Sequence, residues 1–136
     1  MILHASAVAF GGRAVLITGA AGSGKSSLAL QLMALGAALI SDDRTVLTRD
    51  GSSVIASAGP NIAGLIEARG IGILNAATSA PAPVTCVVDL DQTETERLPQ
   101  RRIMLLDVPL PLLHKSDNPA WPAALRAYMT AGMADR

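Results

Sequence analysis

At 136 residues the chain is long enough for one hydrophobic core and too short for two, so a single domain over 1–136 is expected. Half of it is hydrophobic and 16% charged, which excludes a disordered tail, and Lys+Arg and Asp+Glu balance at 11 each, which leaves no net field to draw it to nucleic acid or an anionic membrane. Phe10, Trp121 and Tyr128 are too few aromatics for a nucleic-acid stacking platform, the lone Cys86 cannot form an intrachain disulfide and fits a reducing, cytoplasmic setting, and no apolar run approaches the ~18 residues of a membrane span.

Ile2 to Phe10 reads as a first strand, and Gly11-Gly12 as a hairpin turn into a second, Arg13-Ala-Val-Leu-Ile-Thr18. Beginning so near the next motif, the chain is expected to have no N-terminal domain. That motif is Gly19-Ala-Ala-Gly-Ser-Gly-Lys-Ser26, which fits the phosphate-loop pattern G-x-x-x-x-G-K-[ST] at every fixed position. A β-branched strand enters it, and a run of helix formers, 25–35, leaves it toward the stop at Gly36. The glycines at 19, 22 and 24 let backbone N–H groups curl around phosphate oxygens, and the helix N-terminus adds partial positive charge. Gly19, Ala20, Ala21, Gly22, Ser23, Gly24, Lys25 and Ser26 are therefore the expected nucleotide-binding residues. Lys25 would reach the β/γ-phosphates and the Ser26 hydroxyl would sit on Mg²⁺.

Ala37 to Ser41 is the returning strand, which a right-handed crossover places parallel to 13–18, so that Asp42-Asp43 ends up beside the loop. A second hairpin runs through 44–56 about Asp50-Gly51. Residues 60–69 read as a short helix broken by Gly70 and Gly72, and 76–83 as a mobile loop of small residues and prolines. Val84–Leu90 is a buried strand with Cys86 as a small hydrophobe inside it, 91–97 a solvated polar segment, and 102–108 a strand stopped by Pro109 and Pro111. His114 carries no argued role. A final helix runs from Pro119 or Pro122 to Ala131, with Asn118 as its N-cap candidate.

Phosphoryl transfer also needs a metal site and a group that takes the acceptor's proton. Two strand ends offer acids: Leu39-Ile-Ser-Asp-Asp43, and Thr85-Cys-Val-Val-Asp89. The second has the more generic pattern; the first is favoured by topology. Adjacent carboxylates beside phosphate cannot both ionise freely, so one can hold Mg²⁺ while the other takes a proton. The plain alternative for Asp42-Asp43 is a solvated turn.

Leu3-His4, the loop 19–26, Asp42-Asp43 and Ile66-Glu-Ala-Arg-Gly-Ile-Gly-Ile-Leu-Asn75 together resemble the catalytic domain of HPr kinase/phosphorylase. The E-x-R-G-x-G-I block, 24 residues after Asp43, is the specific part. The likeness covers about residues 3–75 and suggests a compact form lacking the family's N-terminal domain. It implies an α/β fold of the phosphoenolpyruvate carboxykinase-like P-loop kind, a mixed sheet with the loop's helix on one face. It further implies ATP and Mg²⁺, with Ser26 and Glu67 as metal ligands alongside Asp42. Asp43 would be the general base toward a serine of an HPr-like phosphocarrier, with His4 holding it ionised and Arg69 near the phosphoryl oxygens. The family's hexamer suggests a homo-oligomer. The chain departs from the family at Ser27, where an acid is usual, and at Pro109–Ser116, where a P-V-x-P-G-R-N-type motif is usual. Lacking that motif's arginine, it favours kinase action over dephosphorylation. Two other readings remain open: a small-molecule P-loop kinase, and a nucleotide-sensing module that transfers nothing.

Overall fold

The computed structural model describes residues 1–59 and 63–134. Strands β1 (Ile2–Leu3), β2 (Ala5–Phe10), β3 (Arg13–Thr18), helix α1 (Lys25–Ala34) and strands β4 (Ala38–Ser41), β5 (Thr45–Asp50) and β6 (Ser53–Ala58) make the first half. Strands β7 (Leu65–Ala68), β8 (Gly72–Asn75), β9 (Ala82–Thr93), β10 (Arg101–Leu105) and β11 (Val108–Lys115) and helix α2 (Trp121–Ala131) make the second. Among the described residues nine strands form one mixed sheet, in the order β1-β5-β6-β9-β3-β2-β4, with β11 also on β9 and β10 on β11; β7 and β8 pair separately. The expected mixed α/β architecture is what the chain adopts.

Alternation along the strands sets the two faces. Val8, Phe10, Val15, Ile17, Cys86 and Val88 point to the side covered by α1 and α2. Ala5, Ala7, Ala9, Ala14 and Leu16 point to the other, where β5, β6, β10 and β11 curl over them with Leu47, Val54, Leu105 and Leu110. Alanine on this second face leaves room for the close approach of one sheet half to the other. Strand β9 is the hinge of the arrangement: its start pairs antiparallel with β6, and its centre pairs parallel with β3 and with β11.

The first hairpin and α1 lie where the sequence places them, and Gly36 takes φ 109° just past the helix, with its N–H on Met33. The first strand is divided at His4, where the chain passes from pairing with β5 to pairing with β3 and β4. Strand β4 does run in the direction of β3, yet β2 lies between them, antiparallel to both. The second hairpin turns on Gly51 and Ser52, one residue later than Asp50-Gly51.

Four expectations need correcting. Residues 65–75 are a β-hairpin rather than part of a short helix (60–62 lie outside the described residues): Ile66 and Ala68 are buried while Leu65 and Glu67 are exposed, a period of two, and Gly70 (φ 85°) makes the turn. The 76–83 loop is tied down, since Leu39 donates to Ala77, Ser79 donates to Leu39, and β9 begins at Ala82. Strand 102–108 is really two strands with a tight turn at Leu106-Asp107, both at positive φ (48° and 63°), and the prolines lie inside β11. They are tolerated because 109 and 111 turn their nitrogens away from β10, and β11 meets β9 only from Leu112 onward. Asn118 is not the cap of α2: its carboxamide accepts from Ala120, which itself precedes the helix without a side-chain cap.

Candidate active site

Strand β3 delivers the chain into the glycine-rich loop. Gly19 (φ 150°) is required there, because a Cβ would lie 2.5 Å from the Ser23 hydroxyl. Gly24 caps α1 in the left-handed region (φ 103°) with no side-chain cap, so the first amides of the helix keep their donors for a ligand. The Ser23 hydroxyl is buried without a partner. Lys25, buried at 6% exposure, donates its ammonium to the carbonyls of Gly19 (2.8 Å) and Ala20 (3.1 Å). On the other side of the same peptide unit the Ala20 N–H donates to both carboxylate oxygens of Asp91 at 3.0 Å, and Asp91's own N–H donates to Asp89 (2.9 Å). The loop is thus braced from both flanks.

The acid pair follows β4. Asp42 turns inward: its Oδ1 accepts from the hydroxyls of Ser26 (2.7 Å) and Ser6 (2.8 Å), and its Oδ2 from the Glu67 N–H (3.1 Å). A single carboxylate therefore joins α1, β2 and β7. Asp43 has φ 67°, a left-handed conformation uncommon for a non-glycine residue, and its N–H donates to the Ser6 hydroxyl (3.2 Å). Its carboxylate contacts His4 Nε2, and both side chains are more than half exposed. His4, Gly24, Lys25, Asp43, Glu67 and Arg69 line one open cleft of about 350 Å³.

The structure thus brings His4, Lys25, Ser26, Asp42, Asp43, Glu67 and Arg69 together at one end of the sheet. Ala20, Ala21, Gly22 and Ser23 complete the loop on its rim. The competing Asp89 lies level with Thr18 on the neighbouring strand and is engaged with Asp91. Among the described residues no group of three or more His, Cys, Asp and Glu side chains forms a metal cluster by itself. The Ser26 hydroxyl instead meets the Asp42 carboxylate, and the Asp43 and Glu67 side chains line the same cleft, so the available donors are all oxygen. This set fits a hard divalent cation that completes its shell with phosphate oxygens and water.

Two residues were missed in the sequence. Ser6, fully buried, holds both members of the acid pair. Its signal was the strand alternation that puts residue 6 on the same face as His4. Asp91 is exposed, as expected of its polar segment, but its bond to the loop amide of Ala20 has no signal in the sequence.

The HPr Serine kinase C-terminal domain model matches residues 1–98. HPr kinase/phosphorylase of Geobacillus thermodenitrificans is 35% identical over 125 residues, covering 82% of this chain and 40% of that protein. That of Stenotrophomonas maltophilia is 34% identical over 129 residues, covering 81% and 41%. The chain therefore spans about 40% of the length of these curated relatives. A solved structure of the Hpr(Ser) kinase/phosphatase from Coxiella burnetii superposes with a TM-score of 0.78 at 25% identity, covering 93% of this chain and 92% of that one. With the family model covering well over half of its residues and the fold agreeing, the chain belongs to the HPr serine kinase C-terminal domain family.

Proposed function

We propose that this chain is an ATP- and Mg²⁺-dependent serine kinase of an HPr-like phosphocarrier protein. The observation that carries the reading is the Ser26–Asp42 hydrogen bond, with Asp43 and Glu67 facing the same cleft as the glycine loop. An arrangement that merely binds nucleotide has no need of a second carboxylate open to an acceptor.

In this reading ATP lays its β- and γ-phosphates across Gly22–Ser26. Lys25 exchanges the carbonyls of Gly19 and Ala20 for phosphate oxygens. Ser26, Asp42 and Glu67 hold Mg²⁺, which when bound neutralises charge on the transferring group. Asp43 accepts the proton of the acceptor serine as its oxygen bonds to the γ-phosphorus; the bond to the bridging oxygen breaks, and ADP leaves with that electron pair. His4 orients the Asp43 carboxylate. Arg69 offers its guanidinium to the equatorial oxygens.

A phosphocarrier substrate places the chain in the cytoplasm. No helix among the described residues is long and apolar enough to cross a membrane. Assembly into a homo-oligomer belongs to the same proposal.

Labelled ATP, Mg²⁺ and candidate phosphocarriers incubated with the protein test it. Label on a carrier serine is the expected result. Label on a small metabolite would replace the proposal with a small-molecule kinase, and tight ATP binding without transfer would leave a nucleotide sensor.

A further inference from the structure

A second concavity, of about 300 Å³, opens on the opposite flank of the α1 N-terminus. It shares Gly24 and Ser27 with the catalytic cleft, so one elongated ligand can occupy both. It is lined by Leu28 and Leu90, both buried, and by Pro119 and Trp121. Polar groups stand at the rim: Gln31 from α1, and Lys115, Asp117 and Asn118 from the segment joining β11 to α2. These last residues lie beyond the stretch matched by the family model, in the part of the chain where the family motif is absent.

We propose that this concavity takes the purine base of the nucleotide whose phosphates lie in the glycine loop. The inference rests on the phosphate-binding reading above and extends it to the nucleoside end. Three observations carry it. The two spaces share Gly24 and Ser27, which flank Lys25-Ser26, so a nucleotide held by the loop can continue from one into the other. The lining combines aliphatic side chains with an indole and proline rings, a composition that suits a flat ring system. The rim sets a donor beside an acceptor. The Asn118 carboxamide oxygen is used by Ala120 (2.9 Å), which leaves its NH₂ to donate. The Asp117 carboxylate is 3.9 Å from Lys115, too long for a hydrogen bond, which leaves it free to accept. A purine edge presents the matching pair, a ring or exocyclic acceptor next to an N–H.

The pocket contains its own reporter, because Trp121 is the single tryptophan of the chain. The experiment titrates Trp121 emission with Mg²⁺-ATP, Mg²⁺-UTP and Mg²⁺-tripolyphosphate, with binding of each measured in parallel by calorimetry. Expected is a saturable emission change with ATP, none with tripolyphosphate even where it displaces ATP, and weaker binding of UTP. Asp117→Ala, at an exposed loop position, should weaken ATP by roughly tenfold and leave tripolyphosphate unchanged, the usual consequence of losing one charged hydrogen bond. Tripolyphosphate that reproduces the emission change, ATP that binds without one, or Asp117→Ala that weakens both ligands alike each overturns the base pocket while leaving the phosphate site standing. Failure of both ligands to bind overturns the phosphate reading, and the base pocket with it.

Discussion

Asp42 and Asp43 are adjacent in the chain but do different things, and the difference is set by backbone direction. Asp42 faces inward and collects three hydrogen bonds, whereas the left-handed turn at Asp43 swings its carboxylate out beside His4 and the open cleft. Asp43→Asn should therefore leave ATP affinity intact and lower transfer to the carrier by roughly 10²–10⁴, the range for a lost general base; single-turnover transfer with bound ATP measures it. Lys25→Ala should abolish transfer while the far-ultraviolet dichroism stays native, because the lysine's ammonium is hydrogen-bonded to carbonyls of its own loop. Ser6→Ala should cost about 1 kcal/mol in urea denaturation, since it strips the half-buried Asp42 carboxylate and the Asp43 N–H of a shared, fully buried partner. The loop and the acid pair were legible in the sequence because each is contiguous and sits at a strand end. Ser6 and Asp91 were not, because what they touch is decided by which strand lies beside which.

The β7–β8 hairpin carries Glu67 and Arg69 to the cleft, yet among the described residues it pairs with no strand of the main sheet. It is anchored chiefly by Ile66, at 1% exposure among the helix-side core, with Ala68 also buried, Leu74 packed on the same core and the Glu67 N–H on Asp42. Ile66→Ala should destabilise the chain by about 2–5 kcal/mol by thermal unfolding, as truncation of a buried isoleucine does. It should also lower transfer, because the element that presents Glu67 loses its anchor. The helical reading of this region failed because Glu, Ala and Arg favour helices in isolation, while the burial of Ile66 and Ala68 at a period of two decides the outcome. The prolines of β11 misled for a related reason. Proline is a strand breaker only where its missing N–H would have had a partner, and pairing is a property of the neighbours.

At the scale of the molecule, the sheet separates two cores, and Cys86 lies in the one beneath the helices, fully buried. Burial pushes its thiol up to about 12, so the thiolate is scarce at neutral pH. Thiol reagents should leave Cys86 unmodified at pH 8 until denaturant exposes it, as mass spectrometry after alkylation would read. Just past the end of β9, Glu94 is bonded by Arg101 of β10 at 2.8 Å. That hydrogen bond is the first cause of a carboxyl held down to about 2 from its usual 4.5; desolvation opposes it and the amides of Glu96 and Thr95 add to it. A folded-state value below the unfolded one gives stability that is present above pH 4.5 and is lost as the pH falls toward 2. The stability gap between the native chain and Glu94→Gln should accordingly close across that window in acid titrations monitored by dichroism. The mixed α/β class was legible from the strands and helix around the glycine loop together with the resemblance to the HPr kinase family. The curl of the sheet was not, for β6, β9 and β11 meet only through pairings distant in sequence.

The three bonds on the Asp42 carboxylate make it a junction between segments 6, 26 and 67, and that has a thermodynamic corollary. Whatever competes for those oxygens must loosen one of its present donors, and by linkage any loosening of the donors alters the grip on the competitor to the same degree. The solvent exchange rate of the Glu67 amide deuteron should then track cation occupancy, so that a β-hairpin outside the main sheet works as a gauge of how full the site is.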